Sequence, residues 1–249
     1  MASKQKVLVF DIETAPMQAY VWGLRDQFIA NNQIVHDWYV MAWSAKWLGD
    51  PASKIMYFDQ RGRKNPSDDK WLVAKLWKLL DEADIVVTQN GKKFDSAKLN
   101  ARFIEHGLNP PSPYTHLDTY QTLKRVADFS SHSLEYLTKK LCAKYKKLSH
   151  SKFPGMSLWV ECLKGNKAAW DEMKQYNIHD VLSTEELYMK VRAWTPQTAP
   201  KVFVDKLKAV CTVCGSNSMK SEGIRFAGEK PYRRLHCLGC GHWDKGTIK

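Results

Sequence analysis

Val7-Leu8-Val9-Phe10 is an unbroken apolar run closing on Asp11-Ile12-Glu13, the pattern of a central strand buried on both faces with carboxylates at its end. Thr14-Ala15-Pro16 stops it. Apolar stretches within Trp38 to Lys46 and Ile55 to Asp59, parted by the turn Gly49-Asp50-Pro51, predict two further strands and a three-stranded meander. After Asp68-Asp69-Lys70, the residues Trp71, Leu72, Leu76, Leu79 and Leu80 recur at helical spacing. Ile85 to Thr88 reads as a fourth strand and Ser96 to His106 as a helix stopped by Gly107. Pro110-Pro111-Ser112-Pro113 then forces an extended loop before a short fifth strand near His116 to Asp118. Helical patterns follow at about Tyr120 to Ala127, Leu134 to Ala143 and Ala168 to Ala193. This order predicts an α/β domain, a mixed five-stranded sheet flanked by helices.

Thr195-Pro196-Gln197-Thr198-Ala199-Pro200 breaks the last helix, which predicts a domain over 1–195, a linker over 196–206 and a small unit over 207–249. A length of 249 residues suits one medium and one small unit. Hydrophobic and charged fractions of 44% and 26% exclude a disordered or fibrous chain. Lys+Arg 38 against Asp+Glu 26, a net charge of +12, favours a polyanionic partner such as nucleic acid, although a merely soluble basic protein carries such a charge too. The N-terminal segment runs straight into an apolar stretch too short for a signal sequence or membrane span, so no membrane partner and a cytoplasmic home are expected. The compact build suits a phage or mobile-element factor acting in a host cytoplasm.

Alternation along a strand puts Asp11 and Glu13 on one side. Gln89-Asn90-Gly91-Lys92-Lys93-Phe94-Asp95 closes a loop on a carboxylate at a helix start. Tyr176 and Asp180, four apart, share one helix face. Singly, these are a polar strand end, a helix cap and an exposed Asp beside a core Tyr. Asp11 and Glu13 can converge on a shared cation, the first half of a hard-metal site, and the combination of the three segments carries the case.

Phe10-Asp11-Ile12-Glu13-Thr14, Asn90-Gly91-x-x-Phe94-Asp95 and Tyr176-x-x-x-Asp180 resemble the three exonuclease motifs of the DEDD superfamily, in order and spacing over roughly residues 6–194. The resemblance is to the Tyr branch, typified by the proofreading domains of family A and B DNA polymerases. The His branch has its His five residues before the last Asp, where this chain has Gln175, and the adjacent His179 cannot replace it. The resemblance implies an RNase H-like fold and 3′–5′ exonucleolytic hydrolysis of phosphodiester bonds, DNA favoured, releasing nucleoside monophosphates. It implies two Mg²⁺ or Mn²⁺ ions about 3.5–4 Å apart, activating water and stabilising the leaving oxygen. Asp11 would bridge both ions, Glu13 and Asp180 complete one site, and Asp95 serve the other, partly through water. Tyr176 would orient the water, since a phenol with a pKa of about 10 is a poor base.

By the same resemblance Asn90 contacts the terminal nucleotide. Lys92 and Lys93 either hold a phosphate or are solvated loop charges. Phe94 and the tryptophans Trp38, Trp43 and Trp47 read as core packing, with base stacking the alternative for the aromatics between Tyr20 and Trp47. Asp118 reads as a structural strand-end residue. The expected partner is single-stranded DNA or a 3′ end. A catalytically silent binding module and a structure-specific endonuclease are the competing readings, and retention of every carboxylate argues against the first.

Cys211-Thr212-Val213-Cys214-Gly215 and Cys237-Leu238-Gly239-Cys240-Gly241 are matching knuckles whose four thiolates suit one structural Zn²⁺ in a zinc ribbon. A redox dithiol has no use for paired knuckles, and Cys142 and Cys162 stand apart, so a reducing compartment is expected. His236 and His242 are reserve ligands. Arg225, Arg233 and Arg234 are candidates for gripping a nucleic-acid backbone, the alternative being a ribbon that docks a replication or repair protein.

Overall fold

The computed structural model describes residues 5–149, 151–195, 210–228 and 230–246. Strand β1 (Val7–Thr14) lies at the centre of the main sheet. It is followed by a small hairpin, β2 (Gln18–Ala19) with β3 (Ile34–His36), then by β4 (Val40–Trp47), β5 (Met56–Asp59), β6 (Ile85–Thr88) and β7 (Thr115–Asp118). The five-stranded order is β5-β4-β1-β6-β7, with β4 antiparallel to both β1 and β5, and with β6 parallel to both β1 and β7. The helices are α1 (Lys70–Glu82), α2 (Asp95–Glu105), α3 (Thr119–Val126), α4 (Leu134–Leu141), α5 (Ser157–Leu163) and α6 (Lys167–Val191). This is the mixed, helix-flanked α/β sheet that the hydrophobic pattern predicts.

β1 is buried on both sides because its two faces meet different layers. Leu8, Phe10 and Ile12 pack with Leu72 and Leu76 of α1 and Leu99 and Phe103 of α2. On the other face Val9 packs with Val181 and Tyr188 of α6, and by alternation Asp11 and Glu13 follow Val9. Buried Lys46 of β4 bonds Glu185 at 2.8 Å and ties α6 to the sheet. Across the other face, buried Asp69 accepts from Arg102 and from the Val40 N–H, joining the start of α1 to α2 and β4.

Two elements depart from the sequence reading. α5 and the β2-β3 hairpin have no counterpart in the predicted order, since each is short and α5 has too few turns for a periodic signal to rise above its surroundings. The predicted linker, 196–206, lies outside the described residues. Beyond it, β8 (Met219–Ala227), β9 (Lys230–Cys237) and β10 (Trp243–Gly246) form an antiparallel sheet in the order β10-β9-β8. Among the described residues no helix is long and apolar enough to cross a membrane.

Candidate functional site

β1 and α6 bring Asp11, Glu13 and Asp180 together, with one carboxylate oxygen from each lying within 4.8 Å of the others. Asn177, one turn before Asp180, donates Nδ2 to Asp11 Oδ2 at 2.7 Å and is itself held by Ser44 Oγ, which donates to Asn177 Oδ1 at 2.5 Å. Trp159 of α5 donates Nε1 to Glu13 Oε2 at 3.1 Å and meets the Tyr176 ring edge-on, centroids 6.1 Å apart. Asp11 and Glu13 are therefore each aimed by a neighbouring donor.

Asp95 stands beside this trio and outside the 4.8 Å group. It opens α2 without capping it. Instead Asp95 Oδ1 accepts from the Ile12 N–H at 3.0 Å, pinning the helix start to β1 between the two β1 acids. Gly91 makes that approach possible: a Cβ there would lie 2.4 Å from Thr88 Oγ1 and 2.8 Å from Asp95 Oδ2. Gly91→Ala is accordingly expected to push Asp95 aside, costing about 1–3 kcal/mol of stability and about 10- to 100-fold in hydrolysis, read by thermal melts and initial rates.

The electrostatics of the cluster reflect crowded, desolvated anions. Burial, then Asp95, Asp180 and Glu13, raise Asp11 well above the usual carboxylate range. Burial and Asp180 push Glu13 up to about 8. Burial pushes Asp95 up to about 7 against the opposing Ile12 N–H. Lys147 lies within the group: its Nζ donates to Asp180 Oδ2 at 2.7 Å and sits 4.6 Å from the Tyr176 ring centroid. Burial pulls Lys147 down, but Asp180 and Tyr176 outweigh it and hold the ammonium above its ordinary value. Burial and Asp180 push Tyr176 up to about 12, so the phenol keeps its proton at neutral pH.

A carboxyl whose folded pKa is raised binds its proton more tightly folded than unfolded, so it destabilises the fold above the folded pKa and ceases to as pH falls toward the unfolded value. With Glu13 near 8 and Asp95 near 7, the melting temperature of metal-free protein is expected to rise as pH falls from about 8 toward the ordinary carboxylate values of 4.5 and 3.8. Millimolar Mg²⁺ should flatten that rise by supplying the missing positive charge. His116, lowered to about 4 by burial, destabilises the fold below its ordinary value of 6.5 and so opposes the acid half of that rise.

The remaining predicted residues are distributed as follows. Asn90, Lys92 and Lys93 are exposed on the loop before Asp95, Asn90 with a left-handed φ of 63°. The N–H groups of Asn90 and Lys92 donate to Asp118, which also caps α3 through the Gln121 N–H. Trp43 and Trp47 pack in or against the main core. Phe94 does not: it is 42% exposed, because it stands just before α2 with its side chain turned to solvent while Asp95 points inward, and Lys98 Nζ lies 5.3 Å from its ring centroid. Trp38 is only half-buried, under Lys98 Nζ at 3.6 Å, and with Pro16 and Arg102 it lines a cleft of about 520 Å³ on the loop leaving β1. Tyr20 and Trp22 lie open on the β2-β3 hairpin.

Sequence reasoning missed Lys147, Asn177 and Trp159. Asn177 had a signal, since it lies three residues before Asp180 on the same helix face. Lys147 sits in an irregular, Lys-rich stretch and Trp159 on the unpredicted α5, so neither had one.

The second cluster is Cys211, Cys214, Cys237 and Cys240, whose sulfurs also lie within 4.8 Å of one another. Sγ separations of 3.7 Å (Cys211–Cys240) and 3.6 Å (Cys214–Cys237) are close to the edge of about 3.8 Å that a tetrahedral Zn–S distance of about 2.3 Å requires. The cluster is thus compatible with a zinc ribbon. Burial raises Cys237, but N–H donors of Cys240 and Gly239 outweigh it and lower that thiol to about 7, near thiolate formation. His236 stacks on Trp243, and His242 Nδ1 contacts the Ala193 carbonyl, so neither is drawn into the thiol group.

A family model of the RNase H superfamily matches residues 48–192, more than half of the chain, and the chain belongs to that superfamily. Its members are generally nucleases and use divalent metals. Among solved structures, the family B DNA polymerase from the hyperthermophilic archaeon Pyrobaculum calidifontis is similar in fold. The TM-score is 0.53 at 16% identity, covering 76% of this chain and 25% of that polymerase. The chain thus spans a quarter of that polymerase's length. No curated protein matches it.

Proposed function

We propose that the chain is a metal-dependent 3′–5′ exonuclease, with residues 1–195 as the hydrolytic domain, 196–206 as a linker and 207–249 as a ribbon holding one structural Zn²⁺. The observation that carries the reading is the convergence of Asp11, Glu13 and Asp180 within 4.8 Å, with Asp95 alongside and Tyr176 one turn from Asp180. Asp11, Glu13, Asp95 and Asp180 would hold two Mg²⁺ or Mn²⁺ ions, the hard cations that oxygen-only donors select. Such ions, when bound, lower the pKa of water and neutralise charge on phosphate oxygens.

The chain's own groups do the rest. Trp159 fixes Glu13 and Asn177 fixes Asp11, so the acids are preorganised at no cost during turnover. Tyr176, protonated, donates a hydrogen bond to the attacking water and orients it. The Lys147 ammonium offers positive charge to the phosphate. Lys147→Met is expected to slow hydrolysis about 10- to 100-fold and to lower the Mg²⁺ concentration at half-saturation, since a competing cation is gone. Initial rates against Mg²⁺ concentration check both effects.

Asn90, Lys92 and Lys93, exposed beside Asp95, would meet the terminal nucleotide and its phosphate, with single-stranded DNA or a 3′ end as substrate. A reducing cytoplasm would keep the four cysteines as thiols, free to lose their protons to a bound Zn²⁺. The test is incubation of a 5′-labelled oligonucleotide with the protein and Mg²⁺. A ladder of shortening products supports the proposal, an internal cut replaces it with endonuclease action, and intact but gel-shifted substrate replaces it with binding alone.

A further inference from the structure

The three-stranded sheet of the C-terminal unit sorts its side chains by charge. Along β9, alternation puts Lys230, Tyr232, Arg234 and His236 on one side and Arg233, Leu235 and Cys237 on the other. Residues paired directly across strands share a side. From β8, Lys220 pairs with His236 and Arg225 with Tyr232. From β10, Trp243 pairs with His236 and Lys245 with Arg234. One side therefore gathers Lys and Arg from all three strands together with three rings, while the metal-facing side carries the apolar residues.

On that side cations and rings are interleaved. The Arg234 guanidinium lies 5.2 Å from the Trp243 ring centroid, held by donation from its Nε and Nη2 to the Glu222 carbonyl. Lys245 Nζ lies 4.9 Å from the Tyr232 ring, and His236 stacks on Trp243 at 4.5 Å and 12°. Glu222, in the β8 irregularity, brings a carboxylate that bonds Lys220 at 2.8 Å, leaving the positive charges in excess. Asp244 falls on the opposite side, where Thr212 engages it.

We propose that this side of the ribbon sheet is a binding platform for single-stranded nucleic acid, its cations on phosphates and its rings against unpaired bases. A duplex keeps its bases stacked within itself and would leave Tyr232 and Trp243 without use. An acidic protein surface would use the cations alone. The platform is separate from the carboxylate site and stands whether or not that site hydrolyses.

The test uses the full-length, zinc-loaded chain carrying Asp11→Asn, without Mg²⁺, and fluorescence anisotropy with labelled oligo(dT), oligo(U) and a duplex of equal length. Adding Arg225→Ala, Arg234→Ala and Lys245→Ala together is expected to weaken oligonucleotide binding about 10- to 100-fold and to lessen the log–log salt slope by about 2. Zinc content is measured in each variant, so a misfolded ribbon is recognised. Register gives a sharper comparison: Arg234→Ala is expected to weaken binding more than its neighbour Arg233→Ala, which projects from the other side. Trp243→Ala should weaken oligonucleotide binding and leave the duplex unmoved.

Face dependence with either oligo(dT) or oligo(U) supports the platform. Parental affinity in the zinc-loaded triple variant overturns it, as does an equal loss from Arg233→Ala and Arg234→Ala. Polyglutamate that competes as well as oligo(dT) overturns it in favour of an acidic protein partner. Hydrolysis is read separately on the parent chain with Mg²⁺, so a chain that binds through this side without cutting sinks the hydrolytic proposal alone.

Discussion

Asp11→Asn is expected to reduce phosphodiester hydrolysis by about 10³-fold or more while leaving the fold intact. Asn matches Asp in shape, so the packing of β1 against α6 is retained, but it removes the charge at the centre of the acid group. Its amide oxygen can still accept from Asn177 Nδ2, which now donates to Asp11 Oδ2 at 2.7 Å, while its NH2 puts a donor where the other carboxylate oxygen stood. The same change should not lower the melting temperature of metal-free protein, because Asp11 is held well above the usual carboxylate range by burial and by its acidic neighbours. Initial rates on a 5′-labelled oligonucleotide with Mg²⁺, beside thermal melts without it, measure the two effects together. A variant that digests at the parental rate removes Asp11 from the proposed mechanism. One that loses activity along with its fold shows only that the position is structural.

The second large effect is on the ribbon. Among the described residues of 210–246, only Cys211, Cys237 and His242 are buried, far too little apolar surface to order a three-stranded sheet. Structural zinc in peptides of this size contributes on the order of 10–16 kcal/mol of binding free energy that is also folding free energy. Cys214→Ser leaves three thiols and exposes Cys237 to the loss of its 3.6 Å neighbour. The expected outcome is loss of stoichiometric zinc and rapid proteolysis C-terminal to residue 195, with the 1–195 portion surviving as a discrete fragment. A ribbon that stays protease-resistant in the metal-free variant would show that something besides zinc holds it.

The main sheet was readable because each strand carries its own period and its own stop. β1 announces itself by an apolar run ending in Asp11 and Glu13, and α2 by a helical stripe stopped at Gly107. The carboxylates were readable because alternation and helix periodicity are local rules: they put Asp11 beside Glu13 and Tyr176 over Asp180 without knowledge of the rest. What those rules do not encode is which distant groups arrive from outside. Lys147 reaches Asp180 from a segment with no regular pattern, and Trp159 reaches Glu13 from a helix of two turns. Phe94 was misread for the complementary reason. An aromatic beside a buried Asp resembles a core residue, yet α2 starts there and turns the ring outward while the next side chain points in. In the ribbon, the cysteines were legible from spacing alone, but the separation of Arg233 from Arg225 and Arg234 needed the strand register.

The hydrogen bonds that frame the acid group join Ile12 to Asp95 and Asp11 to Asn177, partners 83 and 166 residues apart. Contacts so remote in sequence close late, after the loops between them have been ordered. A nascent or partly refolded chain in which α6 has not yet docked is therefore chemically inert however much of its sheet is formed. Recovery of cleavage after dilution from denaturant should lag behind recovery of secondary structure and keep time with the docking of that final helix.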